Sequence, residues 1–331
     1  MGEPGVGAAQ RLLRRADAVQ RRRAALAFPV AVLKKFGDDR ASQLAALIAY
    51  YGFFSLFPLL LVFVTVVAIV VRDDPGLQRR LIDSALSQFP VVGTRINQSI
   101  KELSGSSATL VVGIVGALWS GTAVVTVAQH AMDEVWDVPR AERPPILART
   151  VRAFLLLLAF GGAIVVGAVL IGIGDGTGPA AVVLRGLSMI GLTLLSFALF
   201  AIAFRVLTVA QIRWRDVVPG SVVAAVAWTV LLMLGGWLVD REIRHASQAY
   251  GFFAIVIGLL TWIYLGAQIF VLCAEVNVVR ARRLWPRSLV DPPLEETDRN
   301  VLADQAKEER ARPEEHVDVR FGDRPAGGEA R

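Results

Sequence analysis

Charge is scarce in this chain of 331 residues: Asp, Glu, Lys and Arg make up 19%, against 54% hydrophobic residues and a mean hydropathy of +0.53. That balance does not suit a soluble domain and points to an integral membrane protein. Cysteine is almost missing. The single Cys273 lies in an apolar run, which excludes an internal disulfide and a cysteine-ligated metal site. The three histidines, His130, His245 and His316, stand far apart, and although His130 and Asp133 fall at i, i+3, two ligands do not make a zinc site. No metal or other cofactor is therefore expected. Also missing are a GxSxG elbow, a P-loop, an HExxH pair and a dinucleotide-binding glycine loop, so the chain reads as a non-enzyme with no ATP site of its own. GIGDGTGP at Gly172 to Pro179 joins two apolar runs and reads as a tight turn.

What is present is length without charge. A helix of about 20 apolar residues crosses a hydrocarbon core of about 30 Å. Five runs qualify: Ala41 to Val71, Leu103 to Met132, Ala153 to Gly174, Val217 to Val239 and Ala246 to Ala274; a sixth, Gly186 to Phe204, follows Arg185. The expected fold class is all-α, a polytopic membrane protein with six transmembrane helices. Lys and Arg count 20 on the side shared by both termini and 7 on the other, which predicts cytoplasmic N and C termini. The expected organisation is a basic cytoplasmic segment over 1–40, a membrane domain over 41–285 and a disordered cytoplasmic tail over 286–331, where large apolar residues are few.

The basic stretch Arg11 to Arg23, RLLRRADAVQRRR, is a topology signal attracted to anionic lipid. It has no interleaved aromatic residues, so a nucleic-acid partner is not expected. Between the first two spans, DDPG opens two amphipathic stretches from Leu77 to Leu103, expected to form an external helical hairpin.

Polar residues inside the spans are costly and therefore informative. At about 100° per residue, Tyr51, Ser55 and Pro58 share one face of the first span, and Trp119, Thr122, Thr126, Gln129 and Asp133 one face of the second. Tyr264, Gln268 and Glu275 share a face of the last, whereas Trp262 and Asn277 point elsewhere and Val67 and Ile263 are expected to face lipid. Three stripes converging on a shared polar interior is the reading that follows. Pro58 is expected to kink its helix. Gly161, Gly162 and Gly167, with Gly235 and Gly236, are expected to permit close helix approach. Glu275 precedes Arg280 and Arg282 and is expected in an interfacial ion pair.

AYYGFFSLFPLLLVF in the first span, ALWSGTAVVTVAQHAMDEVWDV across the second, DVVPGSVVAAVAW at Asp216 to Trp228 and AYGFFAIVIGLLTWIYLGAQIFVLCAEVNVV at the end resemble the YihY/BrkB family of bacterial inner-membrane proteins. The resemblance covers about residues 25 to 285. It implies a multi-pass inner-membrane protein involved in envelope integrity, with membrane lipids as partners and lipid or another amphipathic molecule as substrate. In the second span, VVTVAQHAMDEVW replaces a more basic stretch usual in the family. The family's old ribonuclease label finds no metal-ligand cluster in these residues. Two functions stay open: a transporter or exporter of an amphipathic substrate, and a non-transporting scaffold for an envelope partner.

Overall fold

The computed structural model describes residues 17, 19, 20, 23–70, 76, 107–174, 179–208, 212–243, 251–289 and 295–321. The external hairpin, the centre of the glycine-rich turn, and most of the basic stretch before residue 23 lie outside the described residues. Every regular element within them is helical: α1 (Ala24–Asp38), α2 (Ala41–Val70), α3 (Ser107–Val135), α4 (Ile146–Gly174), α5 (Pro179–Leu207), α6 (Trp214–Ile243), α7 (Gly251–Arg282) and α8 (Glu296–Glu308). Helices α2 to α7 each cover one of the six apolar runs. Among the described residues, four stretches are long and apolar enough to cross a membrane: Ile146–Gly172, Ala181–Leu207, Trp214–Gly235 and Val256–Arg282. In α2 the apolar stretch so described is the shorter Ala41–Leu56.

Each of α2 to α7 packs against the next, and α7 returns to α2, so the six helices close a ring. Helix α7 also touches α1 and α3, and the buried core gathers around its C-terminal half, at Val271, Cys273, Ala274, Val278 and Val279. Aromatic rings tie three consecutive helices together: Phe204 of α5 stacks on Phe270 of α7 at 5.1 Å, and Phe200 meets Trp228 of α6 at 6.3 Å.

The tightest joint is between α6 and α7, where glycines receive large or polar neighbours. A Cβ at Gly235 would lie 2.2 Å from the Trp262 ring, and one at Gly220 would lie 2.2 Å from the Cys273 carbonyl oxygen. Trp262 and Asn277 thus point into this joint; the Gly220 amide donates to Asn277 Oδ1 at 2.7 Å. Gly167 contacts Leu192 and Leu195 of α5, but Gly161 and Gly162 face open space, which corrects their expected role in helix approach. Ile263 lies 3.2 Å from where a Cβ of Gly52 would be, so it packs on α2 instead of facing lipid. The side chains of Val67 and Gly236 lie outside the described residues.

The tail also departs from expectation. Glu295 and Asp298 cap α8 reciprocally, and Val301 is buried in the main core. Asp298 accepts from Ser288 Oγ at 2.7 Å, Arg287 Nε at 2.8 Å and Lys34 Nζ at 3.0 Å. Burial alone would raise its pKa, but these donors hold it below the usual carboxylate range. The stability it lends is therefore present at neutral pH and is lost as pH falls through and below that range. Composition pointed to disorder here because the helix is held by ion pairs and one valine, not by a hydrophobic face.

Two alanine substitutions separate close approach from composition. Gly220→Ala must move backbone and is expected to cost about 1–3 kcal/mol, measured as thermal stability in detergent. Gly161→Ala meets nothing within 4 Å and is expected to stabilise by about 0.5–1 kcal/mol through helix propensity. Equal effects of the two would contradict this packing.

Candidate functional site

The chemistry gathers at one end of the ring, where α1, the end of α3, the end of α7 and α8 meet. Helix α3 ends in a Schellman-type turn: Asp137 takes a positive φ of 47°, and the Val138 amide donates to the Asp133 carbonyl at 2.8 Å. Aspartate tolerates this conformation. The turn sets its carboxylate between two cations: Lys35 Nζ lies at 3.3 Å and Arg282 Nη1 at 2.8 Å. Lys35 is fully buried, and its ammonium donates to Asp39 Oδ2, Asp137 Oδ1 and the Val135 carbonyl. Asp39 in turn accepts from Gln305 of α8 at 2.9 Å.

Glu275 reaches the same cluster from α7 and is 0% exposed, yet neither of its oxygens has a hydrogen-bond partner among the described residues. Donor counting gives the reason. An ammonium offers three N–H groups, and all three of Lys35 are used. The expected ion pair with Arg280 or Arg282 does not form: Arg280 is exposed, and Arg282 lies seven residues on, about 10 Å along the helix, turned to Asp137 and the Trp136 carbonyl.

The electrostatics are lopsided. Burial would lower Lys35, but Glu275, Asp39 and Asp137 around it hold it above the usual lysine range. Burial pushes Asp137 up to about 6 against the pull of Lys35. One ammonium shared among three carboxylates is stabilised in its charged form, while burial of Asp137 outweighs the pull of its cations.

The other predicted site residues fall on adjacent helices, since α2 packs against both α3 and α7. Their hydroxyls bond within their own helices: Ser55 to the Gly52 carbonyl at 2.9 Å, Thr122 to Trp119 at 2.9 Å and Thr126 to Thr122 at 2.7 Å. Helix α2 runs through Pro58 without a break, and the proline ring faces Gly116 of α3. Gln129 is buried and donates to the Arg149 carbonyl at 3.2 Å. Tyr264 and Gln268 are half-buried. Tyr51 is 39% exposed and Trp119 82%, so these two lie on the outer surface of the chain. Lys35, Asp39 and Asp137 did not emerge from the sequence pattern; the signal was Lys35 and Asp39 at i, i+4 in a segment set aside as a charged terminus.

Replacing Lys35 by Met leaves buried carboxylates uncompensated and is expected to cost about 3–5 kcal/mol, read as a fall in thermal stability or loss of folded protein. Glu275→Gln removes only the carboxylate that no donor serves, and is expected to be neutral or stabilising by about 1 kcal/mol. A Glu275→Gln variant that unfolds would contradict the donor count.

Among the described residues no three His, Cys, Asp or Glu side chains group in a way that could hold a metal. No solved structure matches the chain. A UPF0761 membrane protein of Ralstonia nicotianae is 28% identical over 283 residues, covering 77% of this chain and 61% of that protein. A ribonuclease-like protein, YfkH, of Bacillus subtilis is 25% identical, over 75% of this chain and 91% of its own length. The inner membrane protein YhjD of Escherichia coli is 23% identical, over 78% and 82%. The chain spans about three fifths of the first curated relatives it matches, 61% and 58% of their lengths. The profile of the Virulence factor BrkB family covers residues 32–295, which take in the whole helical ring and the buried network from Lys35 to Arg282, and the chain belongs to that family.

Proposed function

We propose that this is a six-span bacterial inner-membrane protein with both termini in the cytoplasm, which moves or exports a lipid or another amphipathic molecule in support of envelope integrity. The observation that carries the reading is the outer face of α2, where Tyr50, Tyr51 and Phe54 form an exposed aromatic cluster, with Tyr50 at 5.4 Å from Tyr51 and 4.9 Å from Phe54. Such a face offers apolar area and phenolic hydroxyls together, which suits a molecule with an acyl part and a polar head. Trp119 adds a further exposed ring on the neighbouring α3. Behind them, the hydroxyls of Ser55, Thr122 and Thr126 bond to carbonyls of their own helices. A surface of that kind can part and re-close.

The six-span count is supported by the closed ring and by helices of 29 to 32 residues, about 44–48 Å at 1.5 Å per residue. Sidedness is supported by the charge bias and by contacts across one end. The connection after α3 and the tail are joined by Arg143 to Glu308 at 2.6 Å and Arg140 to Glu309 at 3.0 Å, and α1 is joined to the tail by Lys34 to Asp298 at 3.0 Å. A scaffold reading is favoured instead by the dense ionic closure of that end, which would suit a protein that does not open.

Reporter fusions are expected to place Arg23, Glu142, Arg213 and Arg299 in the cytoplasm, and Gln88 and Arg244 outside; a cytoplasmic signal at Gln88 would contradict six spans. For function, Tyr51→Phe and Ser55→Ala delete hydroxyls at nearly constant volume, and Pro58→Leu restores a helix donor while changing the contact with Gly116. All three are expected to express normally yet to lower resistance to bile salts measurably in cells lacking the native protein. Full complementation by all three would favour the scaffold.

A further inference from the structure

A cleft of about 570 Å³ opens where α4 begins, lined by His130, Glu134, Arg140, Arg143, Ile146 and Arg149, with Pro144 and Pro145 as its floor. Its central imidazole is held in an arrangement that hydrogen bonding alone does not satisfy. Arg143 Nη1 lies 3.3 Å from His130 Nδ1, and Arg149 Nη1 lies 3.4 Å from His130 Nε2. A neutral imidazole has one acceptor nitrogen and a charged one has none, so at most one of the two guanidinium groups finds an acceptor there. Arg149 Nε is buried with no partner among the described residues.

The arginines are held in place from behind. Asp133 Oδ2, on a fully buried side chain, accepts from Arg149 Nη2 at 3.1 Å and lies 3.9 Å from Arg143 Nε; Glu308 Oε1 accepts from Arg143 Nη2 at 2.6 Å. Glu134 is 3.7 Å from Arg143 Nη2, and Arg140 pairs at the surface with Glu309. The cleft wall itself carries three arginines against one glutamate. The N-terminus of α4, a helix of 29 residues, opens on the same cleft and adds the positive end of its dipole.

Position then selects the ligand. The stretch long and apolar enough to cross a membrane begins at Ile146, and the cleft opens at that end of it, beside Arg149. Ile146 and Leu147 are 83% and 76% exposed at that point, an apolar shoulder beside a cationic wall. We propose that this cleft binds the phosphate of an anionic membrane lipid, with the Arg143 and Arg149 guanidinium groups on the phosphate oxygens, Arg140 at the rim, and Ile146 and Leu147 against the start of the acyl chains. A phosphate between the two guanidinium groups supplies the acceptors that His130 cannot. The site stands whether the lipid is cargo or a fixed companion, so its failure would leave the transport proposal untouched.

The test is native mass spectrometry and thermal stabilisation of the full chain in detergent, titrated with short-chain phosphatidic acid, a neutral diacylglycerol of the same chains, and inorganic phosphate. One phosphatidic acid is expected to bind per chain at least about tenfold more tightly than diacylglycerol, and inorganic phosphate to compete only weakly. Arg149→Lys keeps a cation on Asp133 but removes the fork, and Arg140→Gln changes an exposed rim residue. Both are expected to remain folded and together to weaken phosphatidic acid binding at least about tenfold while leaving diacylglycerol binding unchanged. Equal binding of the two lipids, or unchanged phosphatidic acid binding in the folded double variant, would overturn the site. Tight inorganic phosphate binding that phosphatidic acid does not displace would overturn the lipid as its occupant.

Discussion

One buried ammonium organises this protein. Lys35 is wholly withdrawn from water, and the desolvation of a charge is tolerable only where partners surround it. Its three donors reach its own helix at Asp39, the turn after α3 at Asp137, and the carbonyl of Val135, while Glu275 brings α7 to the same place. Three segments distant in sequence are thereby brought to one point. The αL turn at Asp137, the docking of α8 through Gln305 and the inward position of Arg282 follow from serving that charge.

The two ends and faces of the ring consequently differ in kind. Around Lys35 and Asp298 the structure is ionic, buried and held by hydrogen bonds between segments. Between α6 and α7 it is steric, with Trp262 over Gly235 and the Cys273 carbonyl against Gly220. Along α2 and α3 it is neither: hydroxyls turn back on their own helices, and aromatic rings face outward.

The helical ring was legible from charge-free length alone, because a hydrocarbon solvent forces every backbone group into a helix and leaves a long apolar run as its trace. The outward position of Tyr51 and Trp119 was not legible from a 100° wheel, which turned both inward. Helix α1 and helix α8 were not, since Pro29 interrupts the first and the second has one buried valine, Val301, among charges. Gly161 and Gly162 show the limit of composition: small residues permit close approach, but only a partner such as Trp262 or Leu192 makes them necessary. Glu275 shows the limit of spacing. Arg282 turns to Asp137 and Arg280 is exposed, and the lysine that shares the Glu275 pocket is 240 residues away.

The proposal of a polar interior between α2, α3 and α7 that reaches water is tested most directly by cysteine reactivity in membranes. With Cys273 changed to Ser, single cysteines at Ser55, Thr126 and Gln268 are compared with Leu158 of α4 and Val183 of α5, which are exposed on the outside of the ring at 58% and 65%. A water-soluble maleimide is expected to label the three interior positions at least about tenfold faster than the two outer ones, because a thiol reacts as its hydrated thiolate. Equal rates at all five positions would contradict the account.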